Sequence, residues 1–238
     1  MGSKDDNLNL STGERMSSLA TSKSSANAIK AEGALAAERG SRTPIALEQM
    51  QSIVADWPKA PKQAAQDLCE RYGPPHEATP SKMLWYRTGP WARIELTSDE
   101  VVHNFPTPHT DYLTQYVDYP VPSAKASELL AFDGSVILDR TAGQIGARCD
   151  HEAYNTLTLN LAVEIIQGTR TVEDARRLYG ETAAAYAIGR DAPYAERLLF
   201  TPPAGETGDP DEAIIASHMA RQAVEKVKDV FGRGSMPH

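Results

Sequence analysis

The sequence predicts an α+β fold, with a mainly antiparallel sheet of about five strands packed against helices and a disordered N-terminal tail. Three observations predict it. Apolar residues at helical spacing open and close the ordered part, alternating apolar residues fill its middle, and short turn-forming links join neighbouring strands. A chain of 238 residues, 41% of them hydrophobic and 24% charged, is long enough for one domain with some unpacked length.

Residues 1–43 form the predicted disordered tail. They are rich in Ser, Ala, Gly, Asn and Lys, with few large apolar side chains. Such a segment buries too little apolar surface to offset an ordering cost of about 1–2 kcal/mol per residue. The α+β domain is therefore expected at residues 44–200.

Two helices open the predicted domain. The first is expected to begin at Thr43–Pro44, with Thr43 as its cap, and to end before Pro58. The second is expected from about Pro61 to Gly73, a residue type that favours a helix end. The apolar faces of the two helices consist of Met50, Ile53, Val54 and Trp57, and of Ala65, Leu68, Cys69 and Tyr72.

Strands follow. Residues 83–87 and 91–97 read as two strands joined by a tight turn, because apolar and aromatic residues alternate in both. Residues 113–119 are expected to form a third strand, before a short helix at about 124–132. Residues 135–150 complete the sheet as a hairpin whose two-residue turn is Ala142–Gly143.

The second half of the chain is predicted to be helical. Asp150 is the expected cap of an apolar, nearly central helix at 151–167. Thr171 is the expected cap of the next helix. Residues 201–211 read as a linker, and residues 212–238 as an amphipathic helix (212–231) with a short tail.

Charge and composition exclude several classes of function. The net charge of −8 disfavours nucleic-acid binding, and no run approaches the roughly 18–20 apolar residues of a membrane-spanning helix. Cys69 and Cys149 lie far apart, outside any zinc-type cysteine cluster. Because the N-terminus has no apolar signal region, we expect a cytoplasmic protein with reduced thiols.

The richest polar stretch holds the candidate site residues His103, His109 and Asp111. Two imidazoles and a carboxylate can bind zinc or iron, although their spacing matches no established metal motif. His151 is a further candidate for the same pocket, and Arg148 is a candidate for orienting an anionic group. The alternative is a structural role, in which these polar side chains lie on a loop and form hydrogen bonds with its backbone groups.

Two other groups are weaker candidates. Trp85, Tyr86 and Trp91 surround a tight turn, where they can contact a ligand or a partner, or else pack in the core. Cys149 precedes Asp150 at a predicted helix start, where a thiolate is favoured, but residues of this type are common in the core, and the sequence favours that structural role for Cys149.

Three functional hypotheses follow. The first is a non-catalytic soluble protein that contacts a protein partner, or itself, through residues 212–231 or the N-terminal tail, with no cofactor indicated. The second is a metal-dependent or small-molecule enzyme using His103, His109 and Asp111. The third is a carrier of an apolar ligand, with a cavity between the sheet and the long helix lined by Trp85 and Tyr116.

Overall fold

Six strands form one antiparallel sheet in this computed structural model. They are β1 (Glu77–Thr79), β2 (Lys82–Thr88), β3 (Trp91–His103), β4 (His109–Asp118), β5 (Val136–Asp139) and β6 (Gln144–Cys149). Their order across the sheet is β1-β2-β3-β4-β6-β5. The structure describes residues 10–33, 38, 40–208 and 211–215.

Seven helices are described. They are α1 (Thr12–Ala31), α2 (Leu47–Val54), α3 (Lys59–Tyr72), α4 (Ala126–Phe132), α5 (Glu152–Ile166), α6 (Val172–Ala187) and α7 (Pro193–Glu196), and a 3₁₀ turn at Ser123–Lys125 precedes α4. The α+β class with a sheet packed on helices is thereby confirmed. No helix within the described ranges has the length and apolarity to cross a bilayer.

One face of the sheet forms the core. A directly paired row crosses five strands and consists of Trp85, Ile94, Gln115, Ala147 and Val136. All five side chains are buried. Helices α3 and α5 pack against this part of the sheet, and α6 packs on α5. The sequence explains why α5 is central, since most of its residues are apolar and buried.

A polar pair lies inside this core. Asn155 of α5 donates from Nδ2 to the carbonyl of Leu113 and to Oε1 of Gln115, at 3.0 Å in each case. Gln115 in turn donates to Glu152 at 2.7 Å. These bonds offset part of the cost of burying two amides and fix α5 against β4, although Oδ1 of Asn155 has no hydrogen-bond partner.

Two predicted caps are wrong. Helix α2 begins at Leu47, because Ala46 is still extended and the N–H of the preceding Ile45 donates to the carbonyl of Pro75. Helix α5 has His151 as its cap residue, with no side-chain hydrogen bond, and Asp150 accepts from the thiol of Cys149 instead. The cap at Thr171 is confirmed by a bond from the N–H of Asp174.

The β5–β6 hairpin has a longer turn than predicted. Asp139 pairs with Gln144, so four residues rather than two form the loop. The resulting register differs from the predicted one by two residues. Because side chains alternate with a period of two, the predicted inner face is kept. It consists of Val136, Leu138, Ile145, Ala147 and Cys149.

The N-terminal tail is predicted to be disordered, and the C-terminal helix is predicted to contact a partner. Residues 12–31, inside the predicted tail, form α1, whose start is capped by Ser11 and Glu14 and which buries none of its residues. Disorder of the tail stays a prediction. The predicted helix at 212–231 lies outside the described residues from position 216 onward, so docking through it stays a prediction as well.

Candidate metal centre

The end of the β3–β4 hairpin brings three polar side chains together. His103 pairs directly with His109, and Val101 pairs with Asp111 two positions further along. Side chains two residues apart on a strand point to the same face, and directly paired residues share that face. His103, His109 and Asp111 therefore converge, although five residues separate the two histidines in sequence.

The distances between these side chains are short. His103 Nδ1 lies 3.5 Å from Asp111 Oδ2, and His109 Nε2 lies 3.1 Å from Asp111 Oδ1. One ligand atom from each of the three residues fits within 4.8 Å of the other two. Ligands placed tetrahedrally at the usual ~2.0–2.1 Å from zinc are ~3.4 Å apart, so these separations suit a shared metal ion.

Neighbouring groups orient both imidazoles. His109 Nδ1 lies 2.8 Å from the carbonyl oxygen of Thr107, an acceptor, so this nitrogen carries the proton and donates it. The other ring nitrogen, Nε2, faces Asp111. On the other ring, His103 Nε2 lies 3.6 Å from Asp133 Oδ1 while Nδ1 faces Asp111. A carboxylate or carbonyl behind a histidine is the usual support of a metal ligand.

Asp133 is itself fixed in place. It is 1% exposed and accepts hydrogen bonds from the N–H of Ser135 at 2.8 Å and from the hydroxyl of Thr158 at 3.3 Å. The carboxylate behind His103 is therefore held by the chain after α4 and by α5.

Several polar atoms of this cluster have no hydrogen-bond partner. Asp111 is 3% exposed, yet its Oδ1 accepts no hydrogen bond of acceptable geometry, and His103 Nδ1 is equally unpartnered. Burial raises the pKa of Asp111, while His103, His109 and Arg148 act in the opposite direction. Buried unpartnered polar atoms cost free energy, and a cation among them removes that cost.

Cys149 lies at the edge of the cluster. Its Sγ is 3.3 Å from His109 Nε2 and 3.4 Å from Asp150 Oδ1, to which the thiol donates. Burial raises the pKa of this thiol, because the apolar surroundings disfavour the thiolate. Cys149 is thus a neutral neighbour of the three candidate ligands, and its position argues against an activated nucleophile.

Of the two remaining candidates for the pocket, Arg148 lies next to the cluster and His151 lies away from it. Arg148 Nε lies 3.8 Å from Asp111 Oδ2, so this side chain does approach the cluster. His151 does not join it, since its side chain is 62% exposed and lines a separate depression between α3 and α5 with Arg71 and Glu152. The structure thus brings four of the five candidates together.

The aromatic candidates lie elsewhere. Trp85 and Trp91 are buried, and their indole N–H groups donate to the carbonyl of Gly73 and to the hydroxyl of Tyr72. Neither ring has a face open to a ligand. Tyr86 donates to Glu77 at 3.3 Å on the other face of the sheet.

The register also bears on the predicted carrier cavity. Trp85 belongs to the core row of the sheet, whereas Tyr116 pairs with Arg93 and Gly146 in the neighbouring row, which faces the opposite way. Trp85 and Tyr116 therefore do not line one cavity beneath α5. The Tyr116 ring instead packs under the guanidinium of Arg93, 4.1 Å from its centroid.

Comparisons with known protein families, with curated proteins and with solved structures found no match. The function proposed for the cluster therefore follows from its own geometry and donor chemistry.

Proposed function

We propose that this protein is a metal-dependent enzyme that acts on a small molecule, with His103, His109 and Asp111 as the metal ligands. One observation carries the proposal: three potential ligands converge from paired strands, and the buried carboxylate among them lacks a hydrogen-bond partner on Oδ1. Within the described residues, these are the side chains that meet the geometry of a shared metal.

The donor set indicates the kind of metal. Two imidazoles and one carboxylate suit zinc, and the same combination holds ferrous iron in non-haem sites. Three protein ligands leave at least one coordination position for water or substrate, as in catalytic rather than structural zinc sites. Such a metal supplies Lewis-acid chemistry, polarising a bound group or lowering the pKa of bound water.

The protein's own residues hold this arrangement. The Thr107 carbonyl keeps the proton of His109 on Nδ1, and Asp133 lies behind His103. Arg148 adds a positive charge near Asp111, at the edge of the cluster. These contacts orient the ligand atoms toward one point before any metal binds, which reduces the cost of assembling the site.

Metal titration tests the proposal. Chelator-treated full-length protein is titrated with Zn²⁺ by calorimetry, and we expect one ion per chain. His103→Ala, His109→Ala and Asp111→Asn should each weaken binding at least about 100-fold. His151→Ala is the matched control, because this exposed histidine lies outside the cluster and its variant should bind like the wild type. Equal affinity in all four variants would contradict the assignment.

A second measurement separates an enzyme site from a closed structural site. Water-proton relaxation of the Mn²⁺-loaded protein reports whether a coordinated water exchanges with solvent. We expect an enhancement that is absent from Asp111→Asn. A metal-loaded protein without exchangeable water would contradict the enzymatic role and leave a structural metal.

A further inference from the structure

A pocket of about 460 Å³ adjoins the candidate metal centre. The pocket is lined by His109 and Cys149, by the segment Pro106–Pro108 and by one face of α6. That face is made of small residues at helical spacing, Gly180, Ala183, Ala184 and Ala187. The pocket exists because these side chains leave open the space that larger ones would fill.

We propose that this pocket is the substrate pocket of the metal centre, and that it takes an uncharged molecule with a compact apolar body and one nitrogen or oxygen atom that reaches the metal. The proposal rests on the proposed function for the metal contact, whereas the pocket itself is independent of it.

Position supports this assignment. His109 is shared, since its Nε2 faces Asp111 while the residue lines the pocket. A molecule in the pocket therefore lies next to one of the three proposed metal ligands. The volume lies within the range of about 300–1,000 Å³ typical of small-molecule sites.

The charge of the residues that line the pocket disfavours an anionic ligand. No lysine or arginine is among the described residues that line the pocket, and its one charged lining residue is Asp150. The buried carboxylate of Asp111 lies directly behind His109. An anionic group held in the pocket away from the metal would meet this negative charge without a lysine or arginine to compensate it, whereas an uncharged group does not meet this repulsion.

Gly180 offers a clean way to close the pocket. A Cβ atom added at this position has no neighbouring atom within 4 Å. Gly180 lies inside α6, where alanine and leucine both form helix better than glycine. Gly180→Leu should therefore fold and fill the pocket, and Gly180→Ala is the matched control that fills little of it.

The test uses 4-phenylimidazole, a neutral probe with an aromatic body, compared with imidazole and benzoate. In ¹H–¹⁵N spectra of the metal-free full chain, 4-phenylimidazole should shift the amides of Thr107, Ala183 and Ala187 in the wild type and in Gly180→Ala. Gly180→Leu should abolish these shifts. On the Co²⁺-loaded protein, 4-phenylimidazole should bind at least about tenfold more tightly than imidazole, because the ring is buried.

Each result decides one of the two proposals. Pocket shifts that persist in a protein unable to bind Co²⁺ would overturn the metal centre and leave the pocket. A protein that binds Co²⁺ but shows no shifts, or no effect of Gly180→Leu, would overturn the pocket and leave the metal centre. In the metal-free protein, benzoate binding as tight as that of 4-phenylimidazole would overturn the selection for uncharged ligands.

Discussion

The Nε2 atom of His109 lies 3.1 Å from Oδ1 of Asp111, and the two atoms do not form a hydrogen bond. His109 donates its Nδ1 proton to the carbonyl of Thr107, which leaves Nε2 as the ring nitrogen that faces the carboxylate of Asp111. A metal ion or a proton between these two atoms would make the contact favourable, and the metal proposed for this cluster would lie next to both.

Asp133 is expected to act as a positioning residue for His103. Asp133→Asn keeps an acceptor for the N–H of Ser135 but removes the negative charge behind the imidazole. We expect zinc affinity to fall about 10–100-fold at unchanged stoichiometry, measured by calorimetry. Asp99→Asn, at an exposed position of β3, is the control. Equal affinities of Asp133→Asn and the wild type would remove Asp133 from the site.

Cys149 is expected to be dispensable for metal binding. Cys149 is not among the residues whose ligand atoms meet the geometry of a shared metal, and its thiol already donates to Asp150. Cys149→Ala should therefore bind one zinc ion with an affinity within about threefold of the wild type, which is less than about one kcal/mol of binding free energy. The control Cys69→Ala should do the same. A loss of metal confined to Cys149→Ala would make the thiolate a fourth ligand.

Tyr72 is expected to contribute to the free energy of unfolding through its hydroxyl, and this contribution should be lost at alkaline pH. Its hydroxyl donates to Glu152 and accepts the N–H of Trp91, and burial raises its pKa from 10 to about 12. The neutral form is favoured in the folded state, so this stabilisation is complete below pH 10 and is lost as the pH rises toward 12.

Urea unfolding checks this expectation. At pH 8, Tyr72→Phe should be less stable than the wild type by about 0.5–1.5 kcal/mol, the contribution of a hydrogen bond. The difference should narrow between pH 10 and 12. The exposed Tyr186→Phe is the control. A difference that stays constant over this range would contradict a buried neutral hydroxyl at Tyr72.

Asn160 is expected to anchor the segment that contains α7. Its Nδ2 donates to the carbonyls of Tyr194 and Arg197 at 2.8 and 2.9 Å, and its Oδ1 accepts from the N–H of Leu199 at 2.7 Å. Asn160→Ala should lower the free energy of unfolding by about 2–4 kcal/mol, since three buried bonds are lost.

Hydrogen exchange provides a local readout of the same variant. The Leu199 amide should exchange much faster in Asn160→Ala than in the wild type, while core amides of β4 keep their protection. Glu173→Ala, exposed at the start of α6, should change the stability by less than about 0.5 kcal/mol. Unchanged exchange at Leu199 would show that other contacts hold this segment.

Most of the fold follows from local patterns. Helix α3, the β2–β3 hairpin and α6 are predicted because spacing, turns and caps are encoded by neighbouring residues. Strand β4 begins at His109 rather than Leu113, since its first residues pair with β3 beyond an irregularity between Leu96 and Val101. Such pairing depends on the partner strand, which the local sequence does not specify.

The candidate site is predictable in part. His103, His109 and Asp111 stand close together in the sequence, so a donor-rich stretch already points to them. Asp133 and Cys149 reach the cluster from other elements through the order of the strands, and no local pattern marks them. The role of Thr107 depends on a backbone carbonyl, which residue type does not reveal.

X-ray absorption at the zinc edge of the zinc-loaded full-length protein tests the metal centre most directly. The account predicts nitrogen and oxygen ligands at ~2.0–2.1 Å and outer-shell scattering from two imidazoles, without sulfur at ~2.3 Å. Asp111→Asn should lose the bound zinc. A shell with fewer than two imidazoles, or one that contains sulfur, would contradict the assignment of His103, His109 and Asp111 as the ligands.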